Sequence, residues 1–186
     1  MSGKSATITK LLNRYQEGDA HAMDELMPVV YERLRKIARS ILHGQGAAKT
    51  FVPTALVNQA FVRLMQKDGL AFRDRNHFFS IAARCMRWVL ADYARERLAK
   101  KRGGDGIRVT LNDVPDGSTD QTIDVIALDA ALTKLGATYP DLLQIVELRF
   151  LAGLSIEETA EILKCSTMTI VRKWNMAKAW LSRELS

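Results

Sequence analysis

A chain of 186 residues with 47% hydrophobic content is long enough for one or two packed domains, and its net charge of +6 favours a polyanionic partner, nucleic acid before membrane surface. No apolar run approaches the roughly 18 residues of a spanning helix, and no charged-then-apolar leader opens the chain. These features exclude a spanning protein and predict a soluble, cytoplasmic one with no membrane partner.

Apolar residues recur at three-to-four spacing almost throughout, and strand signals are nearly absent, so the expected fold is all-α. Residues 5–17 predict an amphipathic helix closed by Gly18. Asp19 can cap a second helix reaching His43–Gly44, with Pro28 as its kink. "GQGAAKTFV" predicts a loop, and Pro53 suits the first position of a third helix running to Lys67. A second loop, "DGLAFRDRN", leads into a long fourth helix from about His77 to Lys101. The stretch "GGDGIRVTLNDVPDGSTDQT" then loses the helical period and reads as a flexible linker. Helices at 125–136 and 139–152 follow, then a short pair in "SIEETAEILKCSTMTIVRKW". The expectation is two helical domains, 1–102 and 125–186, tethered by residues 103–124. Cys85 and Cys165 are far apart, and His21, His43 and His77 lack ligand spacing, so reduced packing cysteines and no metal or cofactor are expected.

The last pair has the spacing of a helix-turn-helix. Ser155 and Glu158 form a capping box, and Ile156, Ala160 and Leu163 make an inner stripe. The turn is Lys164–Cys165–Ser166, where Lys164 stands at a position that favours Gly, because a left-handed non-Gly residue costs roughly 1–2 kcal/mol. Ser166 caps a second helix with Ile170, Trp174 or Ala177, and Leu181 inward. Thr167, Met168, Thr169, Arg172, Lys173 and Lys178 then face outward, where short hydroxyls and forked guanidinium groups can meet phosphates and base edges in a major groove. A solvated helical hairpin is the plainer alternative.

"FRDRNHFFSIAARCMRWVLADYARERLAKKRGG" interleaves aromatics with cations. Arg84, Arg87, Trp88, Arg95 and Lys101 share one side of the fourth helix, while Ala82, Cys85, Val89 and Tyr93 can face inward. Cations track phosphates, and loop aromatics such as Phe72 offer platforms for unstacked bases. Phe78 reads equally as core.

With these segments in this order, the chain resembles the extracytoplasmic-function (ECF) sigma factors, two-domain initiation subunits of bacterial RNA polymerase. "LVNQAFVRLM" resembles the polymerase-binding helix, the aromatic–basic segment resembles the part that melts and reads the −10 element, and "LRFLAGLSIEETAEILKCSTMTIVRKWNMAKAWL" resembles the −35 reader. The resemblance implies that Leu56, Val57, Phe61, Arg63 and Leu64 help bind the clamp helices of the largest subunit. It assigns Phe72, Arg73, Asn76, His77, Arg84, Arg87, Trp88 and Arg95 to the −10 element. Ser166, Thr167, Thr169, Arg172, Lys173 and Lys178 fall to the −35 element. The implied partners are core polymerase (clamp helices and flap region), promoter DNA, and an anti-sigma factor or Ser/Thr protein kinase as regulator.

The chain departs from that pattern in one place. Many members carry an acidic group where this sequence has Val52–Pro53–Thr54–Ala55, and Gln59 replaces a frequent Glu. No Asp or Glu occurs from Arg33 to Lys67. Docking by apolar and Arg contacts is one explanation; a phosphate on Thr54, adding roughly −1.5 to −2 charges at a helix start, is the other. Val171 and Met176 also stand where the family is often basic, which points to an unusual −35 sequence. A free-standing helix-turn-helix regulator is the alternative function, though it has no use for "LVNQAFVRLM" beside the aromatic–basic segment. An enzyme lacks support, since no Gly-rich phosphate loop, carboxylate cluster or metal set appears.

Overall fold

The computed structural model describes residues 2–42, 51–66, 71–72, 74–100, 107–111 and 121–185. Its helices are α1 (Ser2–Gln16), α2 (His21–Ile41), α3 (Pro53–Met65), α4 (Arg75–Lys100), α5 (Val125–Thr138), α6 (Pro140–Val146), α7 (Ile156–Leu163) and α8 (Thr167–Glu184). The fold is all-α in its packing. Within 103–124, read as a linker, β1 (Arg108–Leu111) and β2 (Gln121–Asp124) pair antiparallel, with Arg108 opposite Asp124 and Leu111 opposite Gln121. The expected end of the second helix at His43–Gly44 and most of the first two loops lie outside the described residues.

Local chemistry explains the boundaries. Gly18, at φ 97°, makes the turn that ends α1. Arg14 then clamps the α1–α2 corner, reaching Asp19 at 2.6 Å and Glu25 at 2.9 Å, and holds both carboxyls below their ordinary range. Asp19 Oδ1 accepts the N–H of His21 at 3.0 Å, and α2 runs through Pro28. Pro53 occupies the first turn of α3, where its missing N–H leaves no hydrogen bond unmade. Asp124 caps α5, its Oδ1 accepting from the N–H groups of Ile126 and Ala127.

Helices α1–α4 pack around Leu12, Leu26, Leu34, Leu56, Phe78 and Leu90, all essentially inaccessible to solvent. Helices α5–α8 close around Leu132, Leu135, Val146, Ile170 and Ala177. The two halves are also docked on each other: α4 packs on α5 and on a π-turn, Glu147–Leu151, that continues α6. The buried apolar core is continuous across that junction, a contact that a reading of two tethered domains did not anticipate.

The helix-turn-helix forms as its caps dictate. Ser155 Oγ accepts the Glu158 N–H at 3.1 Å, while Glu158 Oε2 accepts the Ser155 N–H at 2.8 Å, completing the capping box. Lys164 is left-handed at φ 51°, ψ 45°, and is the sole non-Gly residue with positive φ among the described residues. Lys164→Gly should therefore stabilise the chain by about 1 kcal/mol, since relief of the left-handed strain exceeds the extra entropy of glycine in the unfolded state. The urea midpoint measures it; a lowered midpoint would mean that the lysine side chain contributes packing worth more than the strain.

Candidate nucleic-acid interface

Helix α8 is held by its buried stripe of Ile170, Trp174, Ala177 and Leu181, so both alternatives read for the inward position next to Ile170 are occupied at once. The Arg149 guanidinium lies 5.3 Å from the Trp174 ring centre, with Lys178 Nζ at 5.8 Å. Ser166 Oγ accepts the N–H of Thr169 at 3.2 Å and also bonds its hydroxyl, so both residues take part in the cap. Thr167 and Arg172 are exposed, and Lys178 is half-buried. Lys173 is tied to Asp141 of α6 at 2.8 Å, which holds the Asp141 carboxyl below its ordinary range. The stripe left facing solvent is Met168, Arg172, Asn175 and Met176. Asn175 was missed in the sequence; its signal is the three-residue step from Arg172, which keeps it on the same face.

On α3, Leu56, Val57 and Leu64 are buried in the core rather than presented to a partner, because the apolar residues of an amphipathic helix turn inward. Phe61 is half-buried against the core. Arg63 bonds Asp92 at 2.6 Å and lies 5.7 Å from the Trp88 ring centre. The outward face is instead uncharged: Val52, at 59% exposure, Val62, at 54%, and the polar Asn58, Gln59 and Gln66. Val52 and Gln59 stand at the positions where acids were expected, which was the clue to this face.

The −10 candidates separate. Phe72 is a correction: it is 1% exposed, with ring centres 5.4 Å from Phe78 and 6.5 Å from Tyr15, so it is core and not an exposed platform. Asn76 and His77 lie in the first turn of α4, their N–H groups donating to Asp74 Oδ1 at 2.8 Å. Trp88 is half-buried between Arg63 and Arg87. Arg73 lies outside the described residues. Ala82, Cys85 and Val89 are buried as their spacing predicted, and Cys85 and Cys165 are not joined in a disulfide.

Arg84, Arg87 and Arg95 do share a side of α4, as read, and carboxylates of the second half pair with all three, burying Arg87 while Arg84 stays partly exposed and Arg95 exposed. Arg84 pairs with Glu147, and Arg87 with Asp129. Arg95 reaches the other oxygen of Asp129 at 2.7 Å and Asp92 at 2.9 Å. Arg87 is a further correction, being 3% exposed where a solvent-facing cation was expected. No group of metal-ligating side chains, and no helix long and apolar enough to cross a membrane, occurs among the described residues.

The capped helix-turn-helix thus presents Arg172 to solvent. Comparison with known families matches residues 5–186 to the ECF sigma factors. Among curated proteins the chain is similar to the ECF RNA polymerase sigma factor BldN of Streptomyces coelicolor, 23% identical over 159 residues, or 86% of this chain and 58% of that protein. The chain thus spans little more than half the length of that relative. Because the family match runs through α3, α4 and the helix-turn-helix alike, this chain belongs to the ECF sigma factor family.

Proposed function

We propose that the chain is a sigma subunit: it joins bacterial core RNA polymerase, directs it to a set of promoters, and helps open them without a catalytic residue of its own. Residues 1–102 and 125–186 act as its two working domains, with 103–124 between them. The carrying observation is the solvent-facing stripe of α8, with Arg172 near the start of the second helix of a capped helix-turn-helix, in a chain of this family. That helix reads the −35 duplex, its domain rests on the polymerase flap region, and α4 with the segment before it reads the −10 element. Clamp helices meet the uncharged outer face of α3, which Leu56, Val57 and Leu64 support from behind and Phe61 and Arg63 border. The work is cytoplasmic, where polymerase is. Run-off transcription by purified core, with and without the chain, tests this reading. Defined start sites should appear only when both are present. A tight sequence-specific footprint by the free chain, without gain from core, would replace it by a free-standing regulator.

Regulation at Thr54 belongs to the same reading. Thr54 is half-exposed in the first turn of α3, where no acid stands and the capping residue Val52 offers no side-chain acceptor. A Ser/Thr kinase adding a phosphate there supplies the missing charge, favoured by the helix N-terminus. An anti-sigma factor is the other regulator that family membership suggests. Phosphorylated chain should bind core more tightly than unmodified chain by about 1–3 kcal/mol, through charge-assisted bonds to basic groups on the polymerase. Thr54→Glu should mimic it only partly. Pull-down at two salt concentrations measures the difference; equal binding by unmodified and Thr54→Ala chain at nanomolar strength would make Thr54 an ordinary first-turn residue.

A further inference from the structure

Helix α8 holds two large apolar side chains in solvent. Met168 is 73% exposed, more than any other large hydrophobic residue among those described, and Met176 is 56% exposed. Apolar residues scattered singly over a surface need no explanation. These two share one face with Arg172 and Asn175, opposite the buried stripe of the helix. At about 1.5 Å per residue the strip from Met168 to Met176 is about 12 Å long, or roughly three to four base steps of duplex at about 3.4 Å each. Met168 is the second residue of α8, at the end that leads a recognition helix into the major groove. Nearby polar groups are already engaged: Ser166 and Thr169 bond each other in the cap, and Lys173 holds Asp141.

A thioether has no proton to donate and accepts hydrogen bonds only weakly. Pressed against the edge of guanine, adenine or cytosine, it would strip water from donors and acceptors and leave them unpaired, which is costly. The apolar group that the major groove does offer is the C5-methyl of thymine. Methionine is long and flexible enough to reach that methyl and to settle against it. We propose that Met168 is a specificity residue, selecting a thymine in the −35 element by packing on its C5-methyl group, beside the base pair met by Arg172. Attraction to the methyl and the cost of covering any other base edge act in the same direction. This inference rests on the reading of α8 as the −35 helix.

The test is run-off transcription by the full chain with core polymerase, on templates randomised through the −35 element. The parent should enrich thymine at one position, and Met168→Ala should lose that thymine while keeping the preferences elsewhere. On the best template, uracil in place of the thymine removes the methyl alone. It should lower run-off by the parent about fourfold, the loss for one buried methyl group. Met168→Ala should use the thymine and uracil templates alike, and Met168→Leu should recover most of the difference. This double comparison isolates the contact from any change in DNA shape, and the uracil swap on the parent depends on no variant folding. A parent indifferent to uracil overturns the contact, as does a thymine preference that survives in Met168→Ala. Equal loss by Met168→Ala on every −35 sequence also overturns it, and would give the strip to a protein partner. In each of these cases defined start sites remain and the sigma-subunit reading stands. Absence of any start site with core overturns that reading, and this inference with it.

Discussion

Phe72→Ala is expected to lower the unfolding free energy by about 3–5 kcal/mol, the range for removing a buried aromatic from a packed core. Phe72 is 1% exposed and meets Phe78 edge-on, with Tyr15 on its other side. Its carbonyl accepts a hydrogen bond from Gln16 Nε2 at 2.5 Å, so the residue also fastens the segment before α4 to the end of α1. Truncation leaves a cavity at the meeting of α1 and α4. In a chain of this size each kcal/mol moves the melting temperature by roughly 2–4 °C, so thermal unfolding reads the effect directly. Phe72→Leu should cost much less, since it keeps most of the apolar volume. An exposed base platform predicts the reverse: an Ala variant as stable as its parent, with −10 thymines that no longer react with permanganate. Trp88→Ala serves as the contrast, because Trp88 is half-buried and should lose less stability.

Arg172→Ala should have the second-largest effect, and it should appear in promoter choice instead of stability. Arg172 is exposed on α8, with the buried stripe of that helix on the opposite side. If its guanidinium forks onto a guanine, discrimination at one base pair should fall by about 1–3 kcal/mol, or roughly 5- to 150-fold in relative promoter use. Lys173→Ala should do less at any base pair, because Lys173 is committed to Asp141 at 2.8 Å and carries part of the seating of α8 on α6. Competitive run-off assays on promoters differing at single −35 positions measure both. A uniform loss across all promoters in Arg172→Ala would make it a phosphate contact. No loss would place α8 outside the groove.

These two residues mark what could be read in advance. Arg172 could be placed from its spacing because helix-turn-helix signals are local. A Ser–Glu capping box, a strained Lys164 and a period of 3.6 residues all act within about ten positions along the chain. Pro53 and Gly18 set helix ends by the same short-range sterics, and Ala82, Cys85 and Val89 turned inward as their spacing required. The acid-free stretch from Arg33 to Lys67 is likewise complete in the sequence, and it left α3 with an outer face free of charge.

Phe72 and Arg87 could not be placed that way. Phe72 lies before α4, where no helical period applies, and only the convergence of α1 and α4 supplies Tyr15 and Phe78 to bury it. For Arg87 the periodicity correctly assigned a side of the helix, but a side is an angle about one axis and says nothing of what comes to cover it. Its partner Asp129 lies 42 positions away, and Glu147 is 63 positions from Arg84. The sequence by itself determined the helices, their caps and the faces they present, because those follow from contacts between near neighbours in the chain. Which faces meet, and therefore which cations are closed off, was decided by tertiary packing, where residues far apart in sequence desolvate one another.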